Sequence, residues 1–398
     1  MRALASTAGL SPSTVAAALA ELRRRGVVVS RERSGTVVAA PAGPEPASPY
    51  VSEGAVDLLN GGPDLALLPD LRQALRTVAS AAVAAPPRDP YRAEPIHPEL
   101  EEWWRKRVPT PGTLAVTSGA FDAVERALAA TLRHGDRVGV EDPGYPPILH
   151  VLRALGLVAV PMPVDDEGPT PAALRSVIGA GARAVIVTPK AQNPTGARLT
   201  EARSASLRAI LRKHPGTMLI EDDHLGLLGP TAPTLTGSTE RWMLTRSVSK
   251  ALGPDLRVAL VVGDDWTIRA IAGRLRAGPG WVSHLLQGAA AALLTAPGTP
   301  ALLAAAERAY DERRCALLDA LTDRGLSARG ASGLCIWLPV RDETSLCLAM
   351  ADRGYAVAPG APFRLSSAPG VRITTSRLRA AEVSPLADAI AEAVAAAG

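Results

Sequence analysis

From about residue 58 onward, short apolar runs alternate with segments whose apolar positions recur at helical spacing. The runs are LAVTSG (114–119), DRVGVED (136–142), LVAVPMPV (157–164), RAVIVTP (183–189), TMLIEDD (217–223), WMLTRSVS (242–249) and RVALVVGD (257–264). Most are apolar without alternation, as expected of strands buried on both faces. Helices are expected between them, over Phe121–Leu132 and around Pro147–Leu155 among others. This order predicts an α/β fold with a mostly parallel sheet covered by helices. Beyond about residue 277 the pattern changes to a long Ala-rich helix and strands near 334–340 and 371–375, a smaller α+β domain.

The first forty residues follow another pattern. A short helix over Leu4–Ala8 is broken at Gly9-Leu10. Ser11 is a good N-cap and Pro12 suits the first helical position. Val15, Leu19 and Leu22 keep helical spacing to Arg25, and Gly26 closes the helix. VVVS (27–30) and TVVA (36–39) form a hairpin around RERSG. Helix, turn, helix and hairpin is the order of a winged helix-turn-helix. Residues 40–57 are rich in Pro, Gly and Ser and read as a linker. The expected domains are therefore 1–39, 40–57, 58–277 and 278–398.

Composition narrows the classes. With 47% apolar and 21% charged residues the chain is globular. No apolar run is long enough for a membrane span. Cys315, Cys335 and Cys347 are too few for a disulfide frame or a zinc site, so no metal is expected and a cytoplasmic location is. A net charge of +4 is too mild for a chain-long nucleic-acid surface. Lysine occurs only at Lys106, Lys190, Lys213 and Lys250. A lysine retained in so Arg-rich a chain invites inspection, because Arg cannot form a Schiff base.

Four clusters sit at the carboxyl ends of the expected strands, where sites of such sheets lie. SVSK places Lys250 after a strand, with Arg257 seven positions on. LIEDD ends in Asp222, QNPTG carries Asn193, and TSGA joins a strand to a helix start at Ser118, Gly119 and Ala120. A partly desolvated lysine can form an imine. A buried carboxylate needs a cation, such as a protonated pyridine nitrogen. A helix start, with Ser247 and Arg257, can hold a phosphate. Asn193 can donate to a phenolic oxygen. Together they describe pyridoxal 5′-phosphate, with Lys250 and Asp222 as the catalytic pair.

These motifs resemble the fold-type I aminotransferases from about residue 58 to 398. With its N-terminal unit, the chain is similar to the MocR/GabR-type branch of the GntR regulators. VEDPGYP (140–146), TPKAQNPTG (188–196), IEDDHLG (220–226), SVSKALGPDLR (247–257) and GVRITTSRL (370–378) carry the resemblance. It implies that Tyr145 stacks on the pyridine ring and that Ser249 joins Ser247 near the phosphate. Arg372 is implied to clamp a substrate carboxylate. NGGPD (60–64), with Gly62, would line the substrate mouth. Tyr91 would reach the phosphate across a homodimer interface. Three features depart from the family: His224 stands where Tyr is usual, Phe121 replaces a polar residue, and RAEPIHPEL follows Tyr91. The family's winged helix also begins with a further helix, so this unit reads as a partial one.

Two functions follow. One is a transcription regulator that senses an amino acid or amine and binds promoter DNA. Ser11, Ser13 and Thr14 would lie near bases or phosphates, and Arg23, Arg24, Arg31 and Arg33 would meet the DNA backbone. The alternative is an aminotransferase with a vestigial DNA-binding head. The fused head favours the regulator, since fold alone does not fix function.

Overall fold

The computed structural model describes residues 2–24, 28–31, 35–38, 54–84, 94–108 and 110–397. Arg33, Tyr91 and most of the expected linker lie outside them, as does Arg25.

Helices Arg2–Ala8 and Pro12–Arg24 are followed by strands Val28–Arg31 and Gly35–Val38, which pair antiparallel. Ser11 caps the second helix: its Oγ accepts the Thr14 N–H at 3.1 Å and meets the Ser13 and Thr14 hydroxyls. Ala5 and Val15 are buried where the two helices meet.

The large sheet has eight strands. In spatial order they are Thr113–Thr117, Ala259–Gly263, Trp242–Ser247, Met218–Asp222, Ala182–Val187, Arg137–Asp142, Val158–Asp165 and Gly168–Pro169. The run from Trp242–Ser247 to Val158–Asp165 is parallel. Ala259–Gly263 is antiparallel to both its neighbours. Val185, Leu219 and Leu244 pack into the core on one face. Ile186, Ile220 and Met243 pack on the other, with Val124 and Leu128 of helix Ala120–Thr131. Alternate side chains thus serve two covered faces, which is why these strands read as continuous apolar runs.

A three-stranded sheet carries the small domain, in the order Cys335–Pro339, Gly370–Thr374, Ala358–Pro359. Helices Glu343–Asp352 and Ala380–Ala397 cover it, around Leu317, Ile336, Leu346, Val371, Ile373 and Ile390.

Three expectations need correction. The single Ala-rich helix is two, His284–Thr295 and Thr299–Thr322, bent by 84°. Pro297 has no N–H for the ladder and Gly298 caps the second helix, so the chain turns there. The first of these helices packs with Ala289 and Leu293 in the large core. We propose the break at 296–298 as the domain boundary in place of 277. The strand expected to run to Ser249 ends at Ser247, whose Oγ accepts the Ser249 N–H at 3.1 Å and starts a helical turn. The end of the expected linker is a strand of the small domain: Val56–Asp57 pairs with Tyr355–Ala356, and Leu58, the first residue expected in the large domain, is buried in the small core.

Among the described residues, no single helix is long and apolar enough to cross a membrane.

Candidate functional site

Asp222 ends its strand and is buried, 5% exposed. Its Oδ1 has no hydrogen-bond partner among the described residues. Burial, aided by the neighbouring Asp223, pushes its pKa up to about 7. The nearby cation is already committed: Arg246 pairs with Asp223 at 2.8 Å, both side chains being buried. A buried carboxyl with an open oxygen is a place for a cation that the protein does not itself provide.

Lys250 lies in the helical turn Ser249–Leu252 and is half-buried. Its Nζ donates to the Gly61 carbonyl at 2.7 Å. Burial lowers its pKa, and the charge of Arg372 lowers it further. This is the direction that favours a nucleophilic amine. Lys190 differs. It is 3% exposed and donates to the Leu228 and Pro230 carbonyls, a structural role. Half-buried His224 is drawn down to about 3 by desolvation and by the charges of Lys250 and Lys190. It is therefore neutral at physiological pH.

Arg372 sits on the central strand of the small sheet and is buried. Nη1 donates to Asn193 Oδ1 at 3.2 Å and Nη2 donates to the Leu59 carbonyl. Nε has no partner among the described residues. The guanidinium lies 4.9 Å from the Phe363 ring centroid. Asn193, Arg372, Gly61 and Lys250 are thus drawn together from four separate stretches of sequence.

After the strand Thr113–Thr117, Gly119 (φ 105°) starts helix Ala120–Thr131. Arg257, itself left-handed at φ 47°, crosses over it and donates to the Ser118 carbonyl at 3.0 Å. A side chain at Gly119 would strike the Arg257 guanidinium. Ser247 and Ser249 hydroxyls lie 3.0 Å apart. The Ser118 N–H is occupied by Asp122 Oδ2 at 2.9 Å. Exposed Tyr145 meets Phe121 edge-on, with centroids 5.5 Å apart. Gly62 accepts from Ser376 Oγ at 2.7 Å, which ties the mouth segment to the small domain.

Sequence reasoning missed the Gly61 carbonyl, although the NGG motif was visible, because a backbone oxygen leaves no residue-type signal. It also missed the pair Asp223–Arg246, and buried Cys335, whose Sγ lies 3.5 Å from the Pro194 carbonyl. Arg23 and Arg24 fall on the second helix, as placed from sequence, whereas Arg31, expected in the hairpin turn, ends the first strand.

Comparison with known proteins bears on this geometry. The family model for aminotransferase class I and II matches residues 53–390. The vitamin B6 salvage pathway transcriptional repressor PtsJ of Salmonella typhimurium is 39% identical over 407 residues, covering 99% of this chain and 92% of that protein. The HTH-type pyridoxine biosynthesis transcriptional regulator PdxR of Corynebacterium glutamicum is 27% identical, over 81% of this chain and 73% of its own. Among solved structures, the kynurenine aminotransferase of Pyrococcus horikoshii superposes with a TM-score of 0.76 at 21% identity, covering 86% of this chain and 91% of that one. The last likeness speaks for the fold. The first two speak for the lineage, and the chain belongs to the aminotransferase class I and II family, in its MocR/GabR-type regulator branch.

Proposed function

We propose that the protein is a transcriptional regulator that holds pyridoxal 5′-phosphate at the strand ends and responds to an amino compound bearing a carboxylate. The observation that carries the cofactor assignment is Asp222, a buried carboxyl with an open oxygen and, among the described residues, no cation paired with it. A ring N–H⁺ satisfies it. The close crossing of Arg257 over Gly119, at a helix start, fits a phosphate there.

When bound, the cofactor supplies an aldehyde that captures amines and a ring that withdraws electrons. The chain's own residues do the rest. Lys250 offers an amine whose proton is loosened by burial. Asn193 keeps Oδ1 on Arg372 and turns its amide nitrogen to the phenolic oxygen, with neutral His224 beside it. Tyr145 covers the ring. Ser118, Gly119, Ala120, Phe121, Ser247, Ser249 and Arg257 surround the phosphate, the Ser118 N–H only if Asp122 yields it. Arg372, with Gly62 at the mouth, takes the ligand's carboxylate. Tyr91 would reach the phosphate of a second copy, making the working form a homodimer.

Regulation is favoured because the 39% likeness to a repressor extends over 99% of the chain, including its first helices. Ser13 and Thr14 stand exposed at the start of the second helix, beside the Ser11 cap. With Ser11, Arg23, Arg24, Arg31 and Arg33 they would form the DNA-contacting set, a role that fits a cytoplasmic protein working beside the chromosome.

The test joins both halves. Borohydride treatment of the yellow protein should fix the cofactor to the Lys250 peptide, and Lys250→Arg should be colourless. Footprinting on DNA flanking the gene should show paired half-sites, with affinity falling steeply with salt. Labelling of Lys190 would overturn the cofactor site. No protection, together with conversion of an amino acid and a keto acid at ordinary enzymatic rates, would replace the regulator with the aminotransferase.

A further inference from the structure

Asp142 ends the strand Arg137–Asp142 and is 2% exposed. Its carboxylate accepts five hydrogen bonds from one loop of the small domain. Oδ1 takes the Leu365 N–H and the Ser367 hydroxyl, each at 2.9 Å. Oδ2 takes the Ser366 N–H at 2.8 Å, the Ser366 hydroxyl at 2.7 Å and the Ser367 N–H at 2.9 Å. Its lone pairs are spent on these donors, so its role is geometric.

The same loop is held at its other edge by Glu343. That carboxylate accepts the Ala361 N–H at 2.6 Å and the Gly370 N–H at 3.1 Å, and pairs with Arg364 at 2.7 Å. Phe363 lies between the two anchors. Its carbonyl accepts the Gly144 N–H at 2.8 Å, next to Tyr145. Its ring is the one beside the Arg372 guanidinium. One chain of contacts therefore runs from the Tyr145 loop through Asp142 and Phe363 to Arg372.

We infer that Asp142 is a positioning residue: by fixing the loop 361–367 to the large domain it holds Phe363 against Arg372 and so sets the carboxylate clamp. This rests on the proposed role of Arg372. An aromatic face fixes the plane of a guanidinium, and bidentate capture of a carboxylate depends on that plane. Without Asp142 the loop keeps its Glu343 anchor and the single Gly144–Phe363 hydrogen bond but loses the five bonds that fasten it to the end of the strand Arg137–Asp142. Ligands that use the clamp should suffer, and amines without a carboxylate should not.

The experiment uses cofactor-loaded full-length protein and follows the visible absorbance. L-alanine and L-phenylalanine are titrated beside ethylamine and phenethylamine, which lack the carboxylate. In Asp142→Asn the amino acids should bind roughly tenfold more weakly, about 1.4 kcal/mol, and the plain amines within about twofold of wild type. The paired variant Ser366→Ala/Ser367→Ala removes two donors from a stretch that is exposed at Ser366 and half-buried at Ser367. It should show the same selectivity at about threefold, and it serves if Asp142→Asn fails to fold. Equal losses for both ligand classes, or no loss, would overturn the inference. If wild-type protein responds to no amino acid, the clamp reading falls and this inference with it. Lys250 labelling then tells whether the cofactor reading survives.

Discussion

Two strands of the large sheet end in almost the same words, Val140-Glu141-Asp142 and Ile220-Glu221-Asp222. Their glutamates are treated alike. Glu141 accepts the Thr188 N–H and hydroxyl, each at 2.8 Å. Glu221 accepts the Leu235 N–H at 2.9 Å and the Thr234 hydroxyl at 2.6 Å. Burial pushes both up to about 7. The aspartates part company. Asp142 is saturated by donors from a distant loop, and although burial works against it, those bonds hold its pKa below the usual carboxylate range. Asp222 is buried with an open oxygen and rises to about 7. The difference separates a joint from a socket. A carboxylate that the chain satisfies itself fastens two domains, and one left unsatisfied waits for something from outside.

The largest test of this contrast removes the socket. Asp222→Ala should strip a buried pyridinium of its partner, a loss of about 3–5 kcal/mol in cofactor affinity. Equilibrium dialysis of pyridoxal phosphate should show it. Retention near wild-type strength would mean that the open oxygen serves another group. The joint should answer differently. Asp142→Ala leaves its five donors without an acceptor, and urea unfolding of the cofactor-free protein should lose about 3 kcal/mol. Asp222→Ala, assayed the same way, should lose nothing.

The finest separation is by pH. A raised carboxyl pKa contributes stability below its unfolded value, near 4 by the usual scale, and loses it as pH rises through its folded value. Cofactor-free protein should therefore weaken between pH 5 and 8, in part through Asp222. Asp222→Asn should reduce that decline by about 1–2 kcal/mol. Asp142, being depressed, is stabilising above its unfolded value and loses that only as pH falls through its lower folded value. Asp142→Asn should leave the slope between pH 5 and 8 unchanged. Urea midpoints at the two pH values check both.

The sheet was legible in the sequence because both its faces are covered, so strands such as Ala182–Val187 and Ala259–Gly263 are apolar from end to end. Lys250, Asp222 and Asn193 were legible for a related reason: polar residues at the ends of apolar runs stand out. The bend at 296–298 was hidden because Ala and Leu dominate the helices on both sides of it. The roles of Asp142 and Gly61 were hidden because their partners lie far along the chain. Asp142 looked like one member of a motif until Ser366 and Ser367 were seen to face it. The resemblance to known motifs supplied Arg372 and Tyr145, which no local pattern singles out.

The pairing of Val56–Asp57 with Tyr355–Ala356 has a mechanical meaning. The Leu58 carbonyl also takes the Thr374 N–H at 3.0 Å, at the end of the strand that carries Arg372. Residues 56–58 are therefore moored to the small domain and not to the large sheet. A displacement of the strand that carries Arg372 would carry residues 56–58 with it.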